Sequence, residues 1–524
     1  MRMPFLSLGI GAAVLLGGSM VGQAVQPLPA SPQLVEKGKQ TYQQLCTPCH
    51  GATGQGDGPA AYLLYPKPRN FVKAQYRLVS TWEQVPTDED LFGAISRGMP
   101  GSAMPSWPSL PEEVRWGLVH YIKSLADHPL EYGQPTQPPA EGGTGTGVIE
   151  VPPEPVYDEA TQQRAAELFV QGCAGCHGAN GKGDGQTRQI DSDGYPTRPR
   201  DLTRGIYKGD PSPESVYRRI VAGLPGTPMP MSDWAPGADA WALTQYVLAM
   251  SSPRQRQRSE MLKFAIETPR VTKLPSHPDD GEWRTASPIN LHLMPLWWRD
   301  DRIEEVTVRA LHDGKELAVL LEWHDETHDH TALRPQDYRD AAAVQFALAP
   351  DPPFFGMGSP GQSVNIWMWK SDRQADLVAF QELEEAYPNM GIDSYPNTLR
   401  SPLEQPMRHA LTLESDPSFV TGWGAGNIVS DPTRKNAAED LQAQGQGTLK
   451  AHPRFDQEVV AEGVYQSNSY HVVFRRTFKP KGKEGVVLKP GATVPVAFAV
   501  WDGSHGDRDG KKSVTIWQEL KLAP

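Results

Sequence analysis

Cysteine is scarce in this sequence, and all four copies among the 524 residues fall in two short segments. So few cysteines cannot form the disulfide framework that holds small secreted domains together. Basic charge is not in excess either, because the formal net charge is −12. Nucleic-acid-binding proteins present basic surfaces to phosphate, so we expect no nucleic-acid partner.

Long apolar runs are lacking beyond the N-terminus. Residues 1–24 combine an early arginine, an apolar run and small residues at Gly22 and Ala24, the pattern of a secretory signal peptide. An uncleaved anchor is the alternative, because the run is only slightly short for crossing a bilayer. We expect cleavage and a periplasmic or extracytoplasmic location, with any membrane association made through a complex.

The four cysteines form two C-x-x-C-H motifs, "CTPCH" at 46–50 and "CAGCH" at 173–177. This is the attachment sequence for c-type haem, in which two thiols bond the porphyrin and the histidine ligates the iron. The residues expected to hold two covalent haems are Cys46, Cys49, His50, Cys173, Cys176 and His177. A thioredoxin-like pair, half a zinc site or a local disulfide would explain one motif less well, and two copies much less well.

A methionine follows each motif at a similar distance. The segments "RGMPGSAMPSW" and "AGLPGTPMPMSDW" share the pattern P-G-x-x-M-P, which aligns Met104 with Met229 rather than with Met231. Methionine as the sixth ligand raises the reduction potential of a haem for electron transfer. We therefore expect Met104 and Met229 to be the second axial ligands.

The repeat extends to the scaffold. Each copy opens with a helical segment that runs into its cysteines and closes with an amphipathic helix, "WGLVHYIKSL" and "WALTQYVLAM". Arg69 and Arg200 occupy "YPKPRNF" and "YPTRPRDL", where they could pair with haem propionates. Both copies resemble the class I cytochrome c family, which implies compact all-α domains, each with a low-spin haem that carries one electron.

The domain boundaries follow from composition. We expect cytochrome c domains at 31–128 and 157–252, separated by a linker at 129–156 that is rich in proline and glycine. A mobile linker would let the domains move between partners, whereas domains held in place would keep the haems at fixed positions for electron transfer. Residues 262–524 form the third unit.

This third unit reads as β structure. The segment "EEVTVRALHDGKELAVLLEW" predicts a hairpin that turns at His312–Gly314, and "SYHVVFRRTF", "TVPVAFAVWDG" and "SVTIWQELKL" predict further strands. In "NIWMWK", alternation puts Ile366 and Met368 on one face and the two tryptophans on the other. A β-sandwich of two antiparallel sheets accounts for these patterns. The whole chain is therefore predicted to be multidomain, with two all-α domains followed by an all-β sandwich.

The segments "EWHDETHD", "YRDAAAVQFAL", "FFGMGSPGQSVNIWMWKSD" and "VAFAVWDGSHGDRDGKKSVTIW" resemble the γ subunit of the type II dimethyl sulfoxide reductase family. Its members serve molybdoenzymes that act on ethylbenzene, dimethyl sulfide, selenate, chlorate or nitrite. The resemblance implies one non-covalent haem b between the sheets, with methionine and lysine as ligands, and an iron–sulfur subunit as electron partner. It places the methionine at Met357. Lys450 is the first choice for the lysine by order along the chain, with Lys435 and Lys370 as alternatives.

A divalent metal site is a competing interpretation of the histidines at 324, 328 and 330 in "EWHDETHDH". The segment follows a predicted strand, so a polar loop explains it more simply.

Together these features predict an exported electron-transfer subunit with two haems c and one haem b, and no catalysis of its own. It would relay electrons between the iron–sulfur subunit of a molybdenum oxidoreductase and a soluble or membrane-bound respiratory chain. Three alternatives remain open: a free-standing multihaem cytochrome that serves a terminal oxidase, a dihaem carrier fused to a carbohydrate-binding-like sandwich, and a haem enzyme in its own right.

Overall fold

The computed structural model describes residues 26–135, 145–185, 189–232, 237–258, 263–299, 301–353, 356–379, 381, 383–389 and 435–524. The predicted signal peptide at 1–24 lies outside the described residues, as do residues 136–144 of the predicted linker. No helix within the described ranges is both long enough and apolar enough to cross a membrane.

The first half is helical. Its helices are α1 (Pro32–Leu45), α2 (Thr47–His50), α3 (Asp88–Arg97), α4 (Glu112–Ser124), α5 (Glu159–Gly172), α6 (Ala174–His177), α7 (Pro213–Ala222), α8 (Ala238–Ala249) and α9 (Pro253–Arg258). A short hairpin, β1 (Gln189–Ile190) and β2 (Pro196–Thr197), interrupts the second set. The four helices predicted at the repeat ends are confirmed as α1, α4, α5 and α8.

Small residues let the first and last helices of the first domain cross closely. A Cβ on Gly38 of α1 would come within 2.0 Å of the Gly117 carbonyl oxygen of α4. Only glycine fits at such an approach. The crossing buries Tyr42 and Trp116 completely beside the haem-motif helix α2.

The second half is β-rich. Its strands are β3 (Ala265–Thr268), β4 (Ile289–His292), β5 (Met294–Pro295), β6 (Glu305–His312), β7 (Glu316–His324), β8 (Ala341–Ala347), β9 (Val364–Lys370), β10 (Ala438–Ala443), β11 (Lys450–Ala451), β12 (Val460–Gln466), β13 (Ser469–Thr477), β14 (Thr493–Trp501), β15 (Ser513–Val514) and β16 (Gln518–Leu522). Two short helices, α10 (Ser371–Asp376) and α11 (Leu383–Ala386), follow β9.

These strands form two sheets. One has the order β11-β10-β9-β8-β14-β15-β5, with β16 joining β14 to β3, and the other has the order β12-β13-β7-β6-β4. The pairs are antiparallel except β16 with β3. The predicted hairpin is confirmed as β6 and β7. The predicted architecture, two helical domains followed by a β-sandwich, is therefore confirmed.

Alternation divides the first sheet into two apolar faces. Trp367 and Trp369 of β9 point into the core between the sheets, where they meet Phe346 and Phe498. Ile366 and Met368 belong to a separate cluster on the opposite face. The alternation read from "NIWMWK" is therefore confirmed.

The three units pack against one another. The apolar core of the first cytochrome unit continues into the second through Tyr217 and Trp241, and it includes Ile149 of the predicted linker, which is fully buried. The Trp82 amide donates to the Gly147 carbonyl at 3.0 Å. The described part of the linker is thus bound to the domains, which favours the rigid arrangement over the mobile one.

Candidate functional site

Two cavities in the helical half enclose the predicted haem residues. The first is lined by Cys46, Cys49, His50 and Met104. The second is lined by the equivalent Cys173, Cys176, His177 and Met229. The fold therefore brings each motif and its methionine loop to one space, as the repeat register predicts.

His50 is prepared to bind a metal through one nitrogen. Its Nδ1 lies 3.0 Å from the Arg69 carbonyl oxygen, an acceptor only, so Nδ1 carries the proton and Nε2 keeps a lone pair. Burial lowers the pKa of His50 to about 4, so the ring is neutral at pH 7. The Phe71 ring stacks on the imidazole at 4.4 Å and fixes its plane. Burial also lowers the pKa of His177 in the second domain.

The turns after the histidines require glycine. Gly51 has φ +78° and Gly178 has φ +75°, where a Cβ would also strike a carboxylate oxygen of Asp57 or Asp184. The matching contacts show that the two motifs fold alike. Their methionine loops match as well, because the amides of Met99 and Leu224 donate at 3.0 Å to the carbonyls of Met104 and Met229.

The cysteines lack the character of a redox pair. Burial raises the pKa of Cys46 to about 12 and that of Cys49 to about 11. Redox-active C-x-x-C pairs have lowered values instead. Buried thiols beside a cavity and a neutral imidazole fit covalent haem attachment better than disulfide exchange.

Arg69 and Arg200 both line the first cavity, although Arg200 belongs to the second domain. Arg200 lines the second cavity too. Two further cations, Arg77 and Lys208, also line the first cavity. We call Arg69, Arg77, Arg200 and Lys208 the junction cations.

The third predicted site lies on the outer face of the nine-stranded sheet. Met357 packs there against a cluster of small and aromatic residues, which we call the Met357 face: Ala341, Ala343, Val364, Ile366, Met368, Leu441, Ala443, Ala499, Trp501 and Trp517. The resemblance implies a site between the sheets, but that space is filled by the aromatic core. Alanines on a sheet leave a flat apolar surface of the kind that a porphyrin ring requires.

Met357 is held in an uncommon backbone conformation. Its φ of +75° lies in the left-handed region, which a bulky residue seldom adopts. The Gln345 carboxamide accepts its amide proton at 2.9 Å, and the Gly445 amide donates to its carbonyl at 2.7 Å. Strain of this kind is concentrated at functional sites.

The lysine that meets Met357 is Lys512. Its Nζ lies 3.7 Å from the Met357 sulfur and 4.8 Å from the centre of the Trp501 ring. Burial lowers the pKa of Lys512 to about 8, towards the neutral amine that an iron ligand must be. A thioether and an amine therefore converge over an apolar face, which fits a haem with methionine and lysine ligands.

The three lysines proposed from the sequence as haem b ligands lie in other environments. The Lys450 side chain is 62% exposed and lies 3.5 Å from Glu484. Lys435 is exposed, and Lys370 forms a buried ion pair with Glu439 at 2.8 Å. The structure thus does not support Lys450 as the residue facing Met357. Sequence order missed Lys512, which lies in a turn beside another lysine.

The histidines of "EWHDETHDH" do not converge on one point. His328 stacks on Tyr465 at 4.7 Å and on His330 at 4.3 Å, while His324 is exposed. The residues that the structure does bring together are the buried carboxylates of Asp325, Asp340 and Asp502, whose oxygens lie within 4.8 Å of one another. The metal interpretation of the histidines gains no support.

The first cytochrome unit docks beside Lys512. Cys49, Leu64, Leu296 and Val514 share one apolar cluster. The Leu296 amide donates to the Lys512 carbonyl at 2.9 Å. A haem-motif cysteine thus shares an apolar cluster with Leu296, which is hydrogen-bonded to the backbone of Lys512.

Comparison with known families decides the type of protein. The cbb3-type cytochrome c oxidase subunit III model matches residues 33–122, the cytochrome c model matches 162–251, and the ethylbenzene dehydrogenase model matches 283–513. The chain combines two cytochrome c domains with an ethylbenzene dehydrogenase-family domain. The resemblances drawn from the motifs are therefore confirmed, and covalent haem c is indicated for the helical half.

Two proteins of related sequence are subunits of reductases. The chain is 25% identical to a putative respiratory nitrate reductase heme subunit of Haloferax mediterranei, over 43% of this chain and 58% of that protein. It is 25% identical to the chlorate reductase subunit gamma of Ideonella dechloratans, over 42% of this chain and 65% of that subunit. The match thus spans less than two thirds of either relative.

One solved structure is similar to part of the chain. A reducing HAO-like protein complex of Kuenenia stuttgartiensis is 36% identical over 41% of this chain and 96% of its own, with a TM-score of 0.36. The two sequence relatives are named as a heme subunit and a gamma subunit.

Proposed function

We propose that this protein is an exported electron-transfer subunit with two haems c and one haem b. It relays electrons between the iron–sulfur subunit of a molybdenum oxidoreductase and a respiratory chain. The carrying observation is that Cys49 of the first haem motif packs in the same apolar cluster as Leu296, whose amide donates to the carbonyl of Lys512, the residue that meets Met357. When bound, each haem takes up and releases one electron without changing the protein's covalent structure.

The residues of the two haem c sites have different roles. His50 and His177 offer a neutral imidazole nitrogen to iron, Met104 and Met229 a thioether, and the cysteines fix each porphyrin edge. Met104 and Met229 raise the reduction potential relative to a second histidine. The stack on Phe71 would hold the His50 imidazole in one plane when a haem is bound.

On the Met357 face, we infer that Met357 and Lys512 are the axial ligands of haem b, in place of Lys450. Lys512 directly precedes β15, while Met357 lies in the loop before β9, and the Lys512 Nζ is 3.7 Å from the Met357 sulfur. The apolar lining excludes water and favours the neutral amine.

Contacts between the domains favour one order of transfer. The sandwich meets the first cytochrome domain through the bridge between Tyr65 and Trp297, whose rings lie 5.4 Å apart. The first domain meets the second through the buried ion pair of Arg77 and Asp191 at 2.6 Å. The second domain also touches the sandwich, where Arg200 stacks on Trp298, but it is Cys49 of the first haem motif that packs in a cluster with sandwich residues. We therefore infer the order sandwich, first domain, second domain, with the second domain at the respiratory-chain end.

The lysine assignment is tested by Lys512→Gln in the full-length holoprotein, with Lys450→Gln as the matched control. Lys512→Gln removes one proposed ligand and should abolish or shift the haem b spectrum, while both c haems persist. Lys450→Gln removes an exposed amine and should leave all spectra unchanged. The reverse pattern would refute Lys512 and restore Lys450.

The partner assignment is tested by purifying the protein under native conditions from its source. Molybdenum and iron–sulfur clusters should co-purify with it in fixed ratio, as the redox relatives suggest. A monomer that is free of molybdenum and passes electrons directly to a terminal oxidase would instead favour the free-standing cytochrome.

A further inference from the structure

The two haem cavities share a wall. Arg200 and Lys208 belong to the second cytochrome domain, yet they line the first cavity together with His50 and Met104. The same two cations also line the second cavity. The first cavity is therefore completed by a surface of the second domain, whereas the described lining of the second cavity comes from the second domain itself.

Positive charge is in excess at this wall. The junction cations number four, and two carboxylates lie near them: Asp191, which is 2.6 Å from Arg77, and Asp90, which also lines the first cavity. Lys208 has no carboxylate within 4 Å among the described residues. Burial and the neighbouring arginines lower the pKa of Lys208 well below its usual range. Charges removed from water in this way require counter-charges.

Arg200 is fixed in place by contacts with the other two units. Its guanidinium donates to the Pro100 carbonyl of the first methionine loop at 3.4 Å and stacks on the Trp298 ring of the sandwich at 3.5 Å. A Cβ on Gly101 would come within 3.0 Å of the same guanidinium. The second domain therefore inserts a cation between the first methionine loop and the sandwich.

A haem carries a pair of propionate carboxylates, and carboxylates form strong charge-assisted bonds with guanidinium and ammonium groups. We propose that Lys208 and Arg200 bind the propionates of the haem held by the first domain, beside Arg69 and Arg77, so that the second domain helps to set the first haem's potential. This inference rests on the proposed function, since it requires a c haem in each cavity. It adds that the two cytochrome domains act as one electrostatic unit.

The direction of the effect follows from charge. Oxidised haem carries one more positive charge than reduced haem, so a nearby cation disfavours oxidation and raises the potential. Lys208→Gln in the full-length holoprotein should therefore lower the midpoint potential of the first haem as well as the second. Lys208→Arg keeps the charge and should restore most of the potential of both haems.

The two c signals must be separated to show this. Met229→His replaces a ligand that raises the potential and should move the second haem to a lower potential, so the higher wave reports the first domain. In that background, a spectroelectrochemical titration should show Lys208→Gln lowering the higher wave. Lys182→Gln is the matched control, because Lys182 is an exposed cation of the same domain outside the first cavity.

The results that would overturn the inference differ from those that would refute the proposed function. An unmoved higher wave in Lys208→Gln would overturn the inference, and so would an equal shift in Lys182→Gln. The haem c content of every sample is measured from its pyridine haemochrome spectrum. Unchanged potentials with full haem c content refute only the shared propionate site, whereas absence of haem c in the wild type refutes the proposed function and the inference together.

Discussion

Asp325→Asn should make the sandwich more stable at pH 8, by about twice as much as at pH 5. Asp325 is 5% exposed, and its Oδ1 accepts from the Thr327 amide at 3.1 Å. Its Oδ2 is buried without a hydrogen-bond donor. Burial, with Asp502 and Asp329 nearby, raises the pKa of Asp325 to about 6, and burial with Asp325 nearby raises that of Asp340 to about 7.

The magnitude follows from linkage. A carboxyl whose pKa is raised on folding stabilises the protein fully below its unfolded pKa, 3.8. That stability is lost as the pH rises through the folded pKa. A shift of about two units corresponds to about 3 kcal/mol. Asparagine keeps the acceptor for Thr327 and places an amide donor towards the neighbouring carboxylates. We therefore expect a gain of about 1–3 kcal/mol at pH 8.

Calorimetry of the holoprotein with a chelator present measures this gain. One kcal/mol corresponds to about 2–4 °C for a domain of this size, so Asp325→Asn should raise the transition at pH 8 by several degrees. Asp279→Asn is the matched control at an exposed carboxylate. A variant that is less stable than the wild type at pH 8, or equally shifted at both pH values, would refute the reasoning.

Two further predictions concern a helix crossing and a buried ion pair. Gly38→Ala should destabilise the first domain by about 3 kcal/mol or more, because its Cβ would overlap the Gly117 carbonyl, whereas Gly93→Ala has open space and should stabilise it by about 0.5–1 kcal/mol. Equal effects on thermal unfolding would contradict the assigned helix crossing. Arg77→Met leaves buried Asp191 without its ion-pair partner and should cost about 3–5 kcal/mol in chemical denaturation. Unchanged stability would contradict the pair between the cytochrome domains.

The covalent haem residues are predictable from sequence because their chemistry fixes local spacing. The C-x-x-C-H motif requires adjacent residues, and the shared P-G-x-x-M-P loop aligns Met104 with Met229. The strands of the sandwich are predictable for a similar reason, since alternation in "NIWMWK" reports two faces of one strand. Each of these sequence patterns spans about ten residues or fewer, so it can be recognised locally.

Lys512 was not predictable in the same way. Its partnership with Met357 depends on the pairing of β14 with β8 and β15, which brings together residues far apart in the chain. Nothing local distinguishes it from the exposed Lys511 beside it. Order along the chain favoured Lys450, but burial is decided by the tertiary fold.

The docking of the domains was not predictable from the sequence either. The proline- and glycine-rich linker predicts freedom, yet Ile149 is fully buried in the first cytochrome core. From the sequence, Arg200 is expected to pair with a propionate of the haem in its own domain. The structure places Arg200 against the first domain and the sandwich as well. Surfaces that meet only after each domain has folded leave no periodic pattern in sequence.

The central claim is that one chain holds two covalent haems and one non-covalent haem, the last at Met357. The most direct test is the pyridine haemochrome spectrum of purified wild type and of Met357→Gly, since glycine accepts the φ of +75° without strain. We predict two haems c and one haem b in the wild type, and two haems c with no haem b in the variant. A wild-type spectrum of haem c alone, or a variant that keeps its haem b, would contradict the account.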